Sequence, residues 1–333
     1  MNLLKGRKVL VTGAGGFIGS HLVEKLLNEG ALVKALVQYN SLGSWDLLED
    51  IKGIKDNKNL EVVLGDINDP HFCIRLTEGV DVIFHLAALI DIPYSYVAPR
   101  SYFETNVLGT VNLLEAAVKT KVKRFIHTST SETYGTAIKT PMDEEHPLQA
   151  QSPYAASKVG ADKAALSYFL SFGLPVTIVR PFNNFGPRQS ARGVIPTIIT
   201  QLLSPNLSLV KLGSLTPVRD YIFVEDCAEG FITAGLSTKT IGQVVNLGTG
   251  KGYSIGEIYK LISGITGIKK KIKLDKKRVR PTKSEVWRLI CDNSKMKNLT
   301  GFEPQTNFKD GLAKTISYME NNLSKYKPEI YNI

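Results

Sequence analysis

A tyrosine and a lysine sit four residues apart in Pro153-Tyr154-Ala155-Ala156-Ser157-Lys158, and upstream of them runs Thr128-Ser129-Thr130-Ser131-Glu132-Thr133-Tyr134-Gly135. A free phenol titrates near about 10, so a tyrosine acts as a base near neutrality only beside a cation. Residues at this spacing share one face of a helix, which lets Lys158 hold that cation beside Tyr154. Bringing the phenol down to about 7 takes roughly 4 kcal/mol of preferential stabilisation of the phenolate, within reach of one ammonium and a cationic cofactor ring. Glu132 then offers a carboxylate from a separate segment. A base for an O–H, a carboxylate for a C–H and a glycine-rich turn upstream suggest hydride chemistry followed by elimination. The Tyr/Lys spacing alone is common on helical surfaces; the combination is specific.

That turn is Val9-Leu10-Val11-Thr12-Gly13-Ala14-Gly15-Gly16-Phe17-Ile18-Gly19, a strand pattern running into Gly-x-x-Gly-x-x-Gly and then a helix. Gly13 permits the tight turn and Gly16 lets the backbone approach a pyrophosphate. Gly19 lets the helix pack on the sheet, while the N–H groups around Phe17 and Ile18 face the anion. Asp66 and Ile67 follow the third strand pattern, where a side chain can hold an adenine edge or simply close a turn. The second strand ends in Val37-Gln38-Tyr39-Asn40-Ser41, without the acidic residue that binds the ribose of NAD and without an arginine for NADP. Asn40 and Ser41 can hydrogen-bond a 2′-phosphate, so the expectation leans to NADP.

Several elements must position these groups. The chain has 333 residues, 43% hydrophobic and 22% charged, which suits one large α/β domain with a smaller lobe. Strands are expected at Lys8–Thr12, Leu32–Val37, Glu61–Leu64, Val82–His85, Arg124–Thr128 and Pro175–Val179, and helices at Ser20–Glu29, Phe103–Lys119 and Pro153–Phe172. Their alternation predicts a Rossmann-type doubly wound parallel sheet over residues 1–180, with residues 219–249 returning to it. Residues 181–218 and 250–333 are expected to build an α/β substrate lobe. Cys73, Cys227 and Cys291 are widely spaced, against a disulfide framework or a metal site. No apolar run is long enough to cross a membrane, and the strand pattern at Lys8 leaves no room for a signal peptide, so a cytoplasmic enzyme is expected. The net charge of +10 concentrates in Lys269 to Arg280. It reads as a solvated lysine-rich face, with attraction of an anionic substrate through Arg280 as the functional alternative. No aromatics interleave the run, which speaks against nucleic acid.

These motifs resemble the extended short-chain dehydrogenase/reductases that act on nucleotide sugars. The resemblance extends through Asp81-Val82-Ile83-Phe84-His85-Leu86-Ala87-Ala88, Thr105-Asn106-Val107-Leu108-Gly109-Thr110, Arg180 to Arg188, Arg219-Asp220-Tyr221 and Arg280-Pro281. Thr130-Ser131-Glu132 is similar to the sugar 4,6-dehydratases. Ala35 to Ser41 and Ile92 to Pro99 are similar to the dehydratases of legionaminic acid synthesis, which act on nucleotide-linked N-acetylglucosamine. Gln38 departs from that pattern, and Asp91 adds a charge beside the sugar pocket.

The resemblance implies that Tyr154 takes the sugar O4 proton, that Lys158 binds the nicotinamide ribose and that Thr130 bonds O4. Glu132 would remove the C5 proton, with Ser131 orienting or relaying. Leu86, Ala87 and Ala88 would line the cofactor; Asn106, Asn183, Arg188, Arg219 and Arg280 would bind the UDP- or GDP-linked sugar. Helices matching Ser101–Lys119 and Pro153–Phe172 would pair as a four-helix bundle in a homodimer, through Val107, Val111, Leu114, Val159, Ala164 and Tyr168. A nucleotide-sugar decarboxylase, a 4-epimerase and a catalytically dead binding or assembly protein remain as alternatives.

Overall fold

The structure is a computed structural model that describes residues 4–331. Short β-branched runs form β1 (Lys8–Thr12), β2 (Leu32–Gln38), β3 (Leu60–Gly65), β4 (Val82–His85), β5 (Arg124–Thr128) and β6 (Val176–Pro181). Between them lie α1 (Phe17–Asn28), α2 (Pro70–Thr77), α3 (Ile92–Val97), α4 (Pro99–Phe103), α5 (Gly109–Lys119) and α6 (Pro153–Phe172). The expected single helix from Phe103 is α4 running through a π turn at Glu104–Leu108 into α5. Beyond β6 come β7 (Asn183–Phe185), α7 (Val194–Leu203), β8 (Leu209–Leu212), β9 (Val218–Phe223), α8 (Val224–Leu236) and β10 (Val244–Leu247). The chain ends with β11 (Gly252–Ser254), α9 (Ile255–Thr266), β12 (Lys271–Leu274), β13 (Arg288–Leu289), α10 (Ser294–Thr300) and α11 (Phe308–Asn321).

Seven strands form one parallel sheet in the order β10-β6-β5-β4-β1-β2-β3. Because its strands are covered on both faces, they read as nearly continuous apolar runs. One layer packs α1 and α8 on the sheet around Leu22, Leu26, Phe84 and Phe231; the opposite layer packs α2, α5 and α6 around Leu113, Phe125 and Ile178. Strand order reverses between β1 and β4, and the crevice at that switch point is where ligands bind in such sheets.

The expected return at residue 219 is corrected. Strand β9 joins a second sheet with β7, β11 and β13, and the chain rejoins the main layers only at α8 and β10. Asp220 explains why β9 stays away. Its buried carboxylate accepts from Thr249 N and Oγ1 (3.0 and 2.6 Å), Gly250 N (2.7 Å) and Cys291 N (3.2 Å), gathering β9, the turn after β10 and the exit of β13. Phe185, Tyr221, Phe223 and Phe308 pack behind it as the core of the smaller lobe. The lysines of β12 lie on the surface, Lys270 donates to Gln201 O and Ser204 O, Arg278 folds back on Asp275, and Arg280 turns toward Glu132.

Asp220→Ala would leave several buried N–H donors unpaired and should lower stability by about 3 kcal/mol or more. Chemical denaturation checks this; a midpoint shift worth less than about 1 kcal/mol would refute the clamp.

Candidate active site

Helix α6 begins where its sequence says it should. Ser152 Oγ accepts from Ala155 N (3.1 Å), and Pro153 occupies the first turn, where no N–H is required. Tyr154, Lys158 and Asp162 then descend one face at helical spacing. Asp162 is fully enclosed: Ser129 Oγ donates to it at 2.6 Å and Arg180 Nη2 at 2.7 Å, while His127 Nε2 lies 3.3 Å away. Lys158 is 4% exposed. Burial pulls its ammonium down to about 8, against the opposing charge of Asp162.

The Tyr154 phenol is pushed up to about 12, chiefly by burial. A hydrogen bond with Thr130 works the other way, while the carboxylates of Glu132, Asp162 and Asp91 add to the rise. The lysine therefore does not by itself make a base of Tyr154. Low dielectric disfavours the charged form of both groups, phenolate and ammonium alike.

The second catalytic segment is a single 3-10 turn, Ser131–Tyr134, between β5 and α6. Thr130 Oγ1 caps it by accepting from Glu132 N at 3.3 Å, and Gly135, at φ +64, ends it. A Cβ at Gly135 would lie 2.1 Å from Gln149 O, so only glycine lets the turn close. Ser131 is buried and Glu132 faces the cleft, where its Oε1 lies 3.6 Å from Arg280 Nη1. The same Arg280 nitrogen is 4.0 Å from Glu285 Oε1, which accepts from Arg219 Nη2 at 3.5 Å. Two guanidinium groups thus flank one carboxylate, and Arg280 Nη1 has no hydrogen-bonded acceptor. Glu285 was not singled out in the sequence; its position five residues after Arg280 was the available signal.

The glycine turn fits a dinucleotide. Gly13 has φ +68, and a Cβ there would sit 2.7 Å from Ala87 N; one at Gly19 would sit 2.1 Å from Gly13 O. Thr12 Oγ1 accepts from Ala87 N (3.1 Å), so Leu86, Ala87 and Ala88 leave β4 alongside the turn. Gly16 precedes α1 without a side-chain cap and with no acidic residue in the first turn, leaving the N–H groups near Phe17 and Ile18 for an anion. Asp66 is exposed at the end of β3, with Oδ1 accepting from Asn68 N (2.9 Å), and Ile67 is buried against Gly109.

Three expected ligands are committed elsewhere. Asn40 spends its amide on its own loop: Nδ2 donates to Ser44 O (2.9 Å) and Oδ1 accepts from Ser44 N (2.9 Å), leaving exposed Ser41 alone of that pair. Asn106, aimed inward by the π turn, bonds Leu89 N (2.8 Å), Leu89 O (2.9 Å) and Ser157 Oγ (2.9 Å), so it fixes the pocket wall instead of touching substrate. Arg188 turns to α1, where it pairs with Glu24 and donates to His21 Nδ1 (3.1 Å). Leu114 belongs to the core and not to an outer helix face. Asn183 stays at the lobe junction on β7, paired in register with Tyr221. Asp46, also missed, leans over the glycine turn: a Cβ at Gly15 would lie 3.0 Å from its Oδ2. It stands well past the end of β2, where a sequence rule for the ribose ligand does not look.

Among the described residues no cluster of His, Cys, Asp or Glu is arranged to hold a metal ion, and no helix is long and apolar enough to cross a membrane. Cys73, Cys227 and Cys291 are all unpaired and buried.

A family model described as GDP-mannose 4,6 dehydratase matches residues 10–315. The chain is 33% identical over 322 residues to a dTDP-glucose 4,6-dehydratase from Actinoplanes sp., covering 95% of this chain and 99% of that protein. It is also 33% identical over 318 residues to a UDP-glucose 4-epimerase from Mycolicibacterium smegmatis, covering 94% and 99%. Among solved structures, a dTDP-glucose 4,6-dehydratase from Streptomyces venezuelae with NAD and TYD bound superposes with a TM-score of 0.88 at 32% identity, covering 96% and 99%. With the Rossmann-type sheet, the glycine turn and the Tyr154/Lys158 pair, these matches establish that the chain belongs to the nucleotide-sugar 4,6-dehydratase/epimerase family of the extended short-chain dehydrogenase/reductases.

Proposed function

We propose that the protein is a nucleotide-sugar 4,6-dehydratase that forms a 4-keto-6-deoxy sugar. One observation carries the reading: a carboxylate, Glu132, stands in the cleft close enough to raise the Tyr154 phenol and beside Arg280. A 4-epimerase needs a base for O4 and a hydride acceptor, but no acid–base group for a C–H bond. Dehydration needs both.

Gly13, Gly16 and Gly19 would hold a nicotinamide dinucleotide, which when bound would supply hydride acceptance from C4 and hydride donation to C6. Tyr154 takes the O4 proton, Thr130 holds that oxygen and Lys158 holds the ribose. Once C4 is a ketone, the C5 hydrogen is acidic and Glu132 removes it. Glu132 then hands its proton to the departing C6 hydroxyl, with Ser131 orienting the carboxyl, and as hydride reaches C6 a solvent-exchangeable proton, balanced by the one Tyr154 took from O4, returns to C5. Arg219 and Arg280 fork onto the diphosphate, which displaces Glu132 as partner of Arg280 and frees it for C5. Asn183 lies at the lobe junction within the same reading.

On the cofactor, the lean to NADP rested on Asn40 and Ser41, and the Asn40 amide is now spent. The Asp46 carboxylate over the turn disfavours an added phosphate, so NAD fits better. The substrate we propose is UDP- or GDP-linked N-acetylglucosamine in legionaminic acid synthesis, on the likeness of Ala35–Ser41 and Ile92–Pro99, acting in the cytoplasm. A homodimer through α5 and α6 completes the reading. Phe103 at the end of α4, Leu108 in the π turn before α5, and Leu170 and Phe172 on α6 are exposed, Leu170 at 79%, and would be covered in a four-helix bundle.

Tyr154→Phe should fold, bind cofactor and lose at least roughly a hundredfold in turnover, the scale of general-base loss. Near-normal turnover would remove Tyr154 from the mechanism. Glu132→Gln should stop elimination more completely than oxidation, accumulating reduced cofactor by its near-ultraviolet absorbance with little 4-keto-6-deoxy product. In heavy water the wild type should place deuterium at C5 and none at C6; label at C6 would contradict internal hydride return. Light scattering at micromolar concentration should give the mass of a dimer, and a monomer would refute the helix-bundle assembly.

A further inference from the structure

Asp91 is an acidic side chain near the Tyr154 and Arg280 side chains that the proposed reaction does not use. The chain reverses there with φ +87 and ψ 113, a backbone that L residues rarely adopt. The Tyr102 hydroxyl holds the reversal in place, shared between Ile90 O (2.6 Å) and Asp91 O (2.7 Å). Tyr102 is fully buried, and its ring meets that of Tyr154 edge-on at 6.1 Å. The residue that packs the catalytic tyrosine therefore also fixes the loop that carries Asp91.

The carboxylate is half-buried, does not cap α3, and receives no hydrogen bond from any described residue. The charged groups that feel it are Arg192 and Arg280, and it acts in turn on Tyr102, Tyr154 and Tyr331. Burial outweighs the two arginines and holds it at about 6, so it is mostly ionised above neutrality. Tyr154 marks where O4 must lie and Arg280 marks the diphosphate on C1. A pyranose ring spanning these two would pass the loop that Tyr102 fixes beside Tyr154, and with it a carboxylate that has no donor among the described residues. A desolvated anion without donors is unfavourable until a ligand supplies them.

We propose that Asp91 is a specificity-determining residue that accepts hydrogen bonds from hydroxyl or amide N–H groups of the sugar and repels a sugar bearing its own carboxylate. The inference rests on the nucleotide-sugar reading of the site and narrows it to neutral hexoses and N-acetylhexosamines, excluding uronic acids. The decarboxylase alternative, which needs a uronic acid, loses its substrate.

The test compares two ligands that differ only at C6, UDP-glucose and UDP-glucuronic acid, by calorimetric titration of the purified protein; the dTDP-linked pair is used where dTDP binds more tightly than UDP. Wild type should bind the glucuronate at least about tenfold more weakly, since like charges brought together at a desolvated site cost binding free energy. In Asp91→Asn, which keeps the shape and tolerates the unusual backbone, the gap should fall to within about threefold. Thermal melting verifies that the variant is folded, and Asp91→Ser serves if it is not. Equal binding of both sugars by wild type, or an unchanged gap in the folded variant, overturns the proposal. Failure to bind UDP-, dTDP- and GDP-linked hexoses alike would overturn the nucleotide-sugar reading itself, a result distinct from a flat comparison between variants.

Discussion

The Asp162 carboxylate is the interaction on which the catalytic geometry depends. It lies on α6 two turns beyond Tyr154 and is gripped by Ser129 at the end of β5 and Arg180 on β6. Arg180 in turn lies over the Tyr134 ring, 4.6 Å from its centre, and Tyr134 closes the turn that carries Glu132. One buried charge pair thereby joins the helix of the tyrosine base to the turn of the glutamate. Buried ion pairs add little net stability, but removing one partner is strongly destabilising, typically about 3–5 kcal/mol. That asymmetry resists rotation or sliding of α6, and so holds Tyr154 in register with Thr130.

The same enclosure sets the chemistry. Burial raises Tyr154 to about 12 and lowers Lys158 to about 8, two shifts of one origin that both favour the neutral form. Three carboxylates facing the phenol reinforce its rise. In the function proposed above, a site built this way would keep the Tyr154 phenol protonated until a positive charge entered beside it, and an oxidised nicotinamide ring would supply such a charge.

Much of this was legible in the sequence because it rests on local rules. Strands β1, β4 and β5 and helix α6 were readable to the residue from apolar runs, the Ser152 cap and Pro153. The glycine turn was readable because its φ values and close approaches admit no side chain. What failed depends on partners distant in the chain. Asn40, Asn106 and Arg188 have the chemistry of ligands, but Ser44, Leu89 and Glu24 reach them first. Glu285 and Asp46 enter the site from segments that no motif marks. Strand β9 follows a β-branched pattern that suits either sheet, and the choice falls to the Asp220 carboxylate and its donors beyond residue 248. Leu114 belongs to an amphipathic helix with apolar residues on two sides, and periodicity alone does not say which side meets the sheet.

One long-range convergence explains why Arg280 and Glu132 share a wall of the site. Ser284 Oγ donates to Gln151 O (2.6 Å) and bonds the Tyr96 hydroxyl (2.5 Å), while Gln151 Nε2 donates to Lys283 O (2.9 Å). The segment after Arg280 is thereby stitched to the approach of α6 and to α3, two pieces of the larger domain. Arg280 belongs to the smaller lobe by sequence but is held over Glu132 by contacts with the larger one. In the proposed reading, a diphosphate on Arg219 and Arg280 would act directly on the partner of Glu132. The coupling is electrostatic and local: an anion that takes Arg280 competes for the guanidinium that stands 3.6 Å from Glu132.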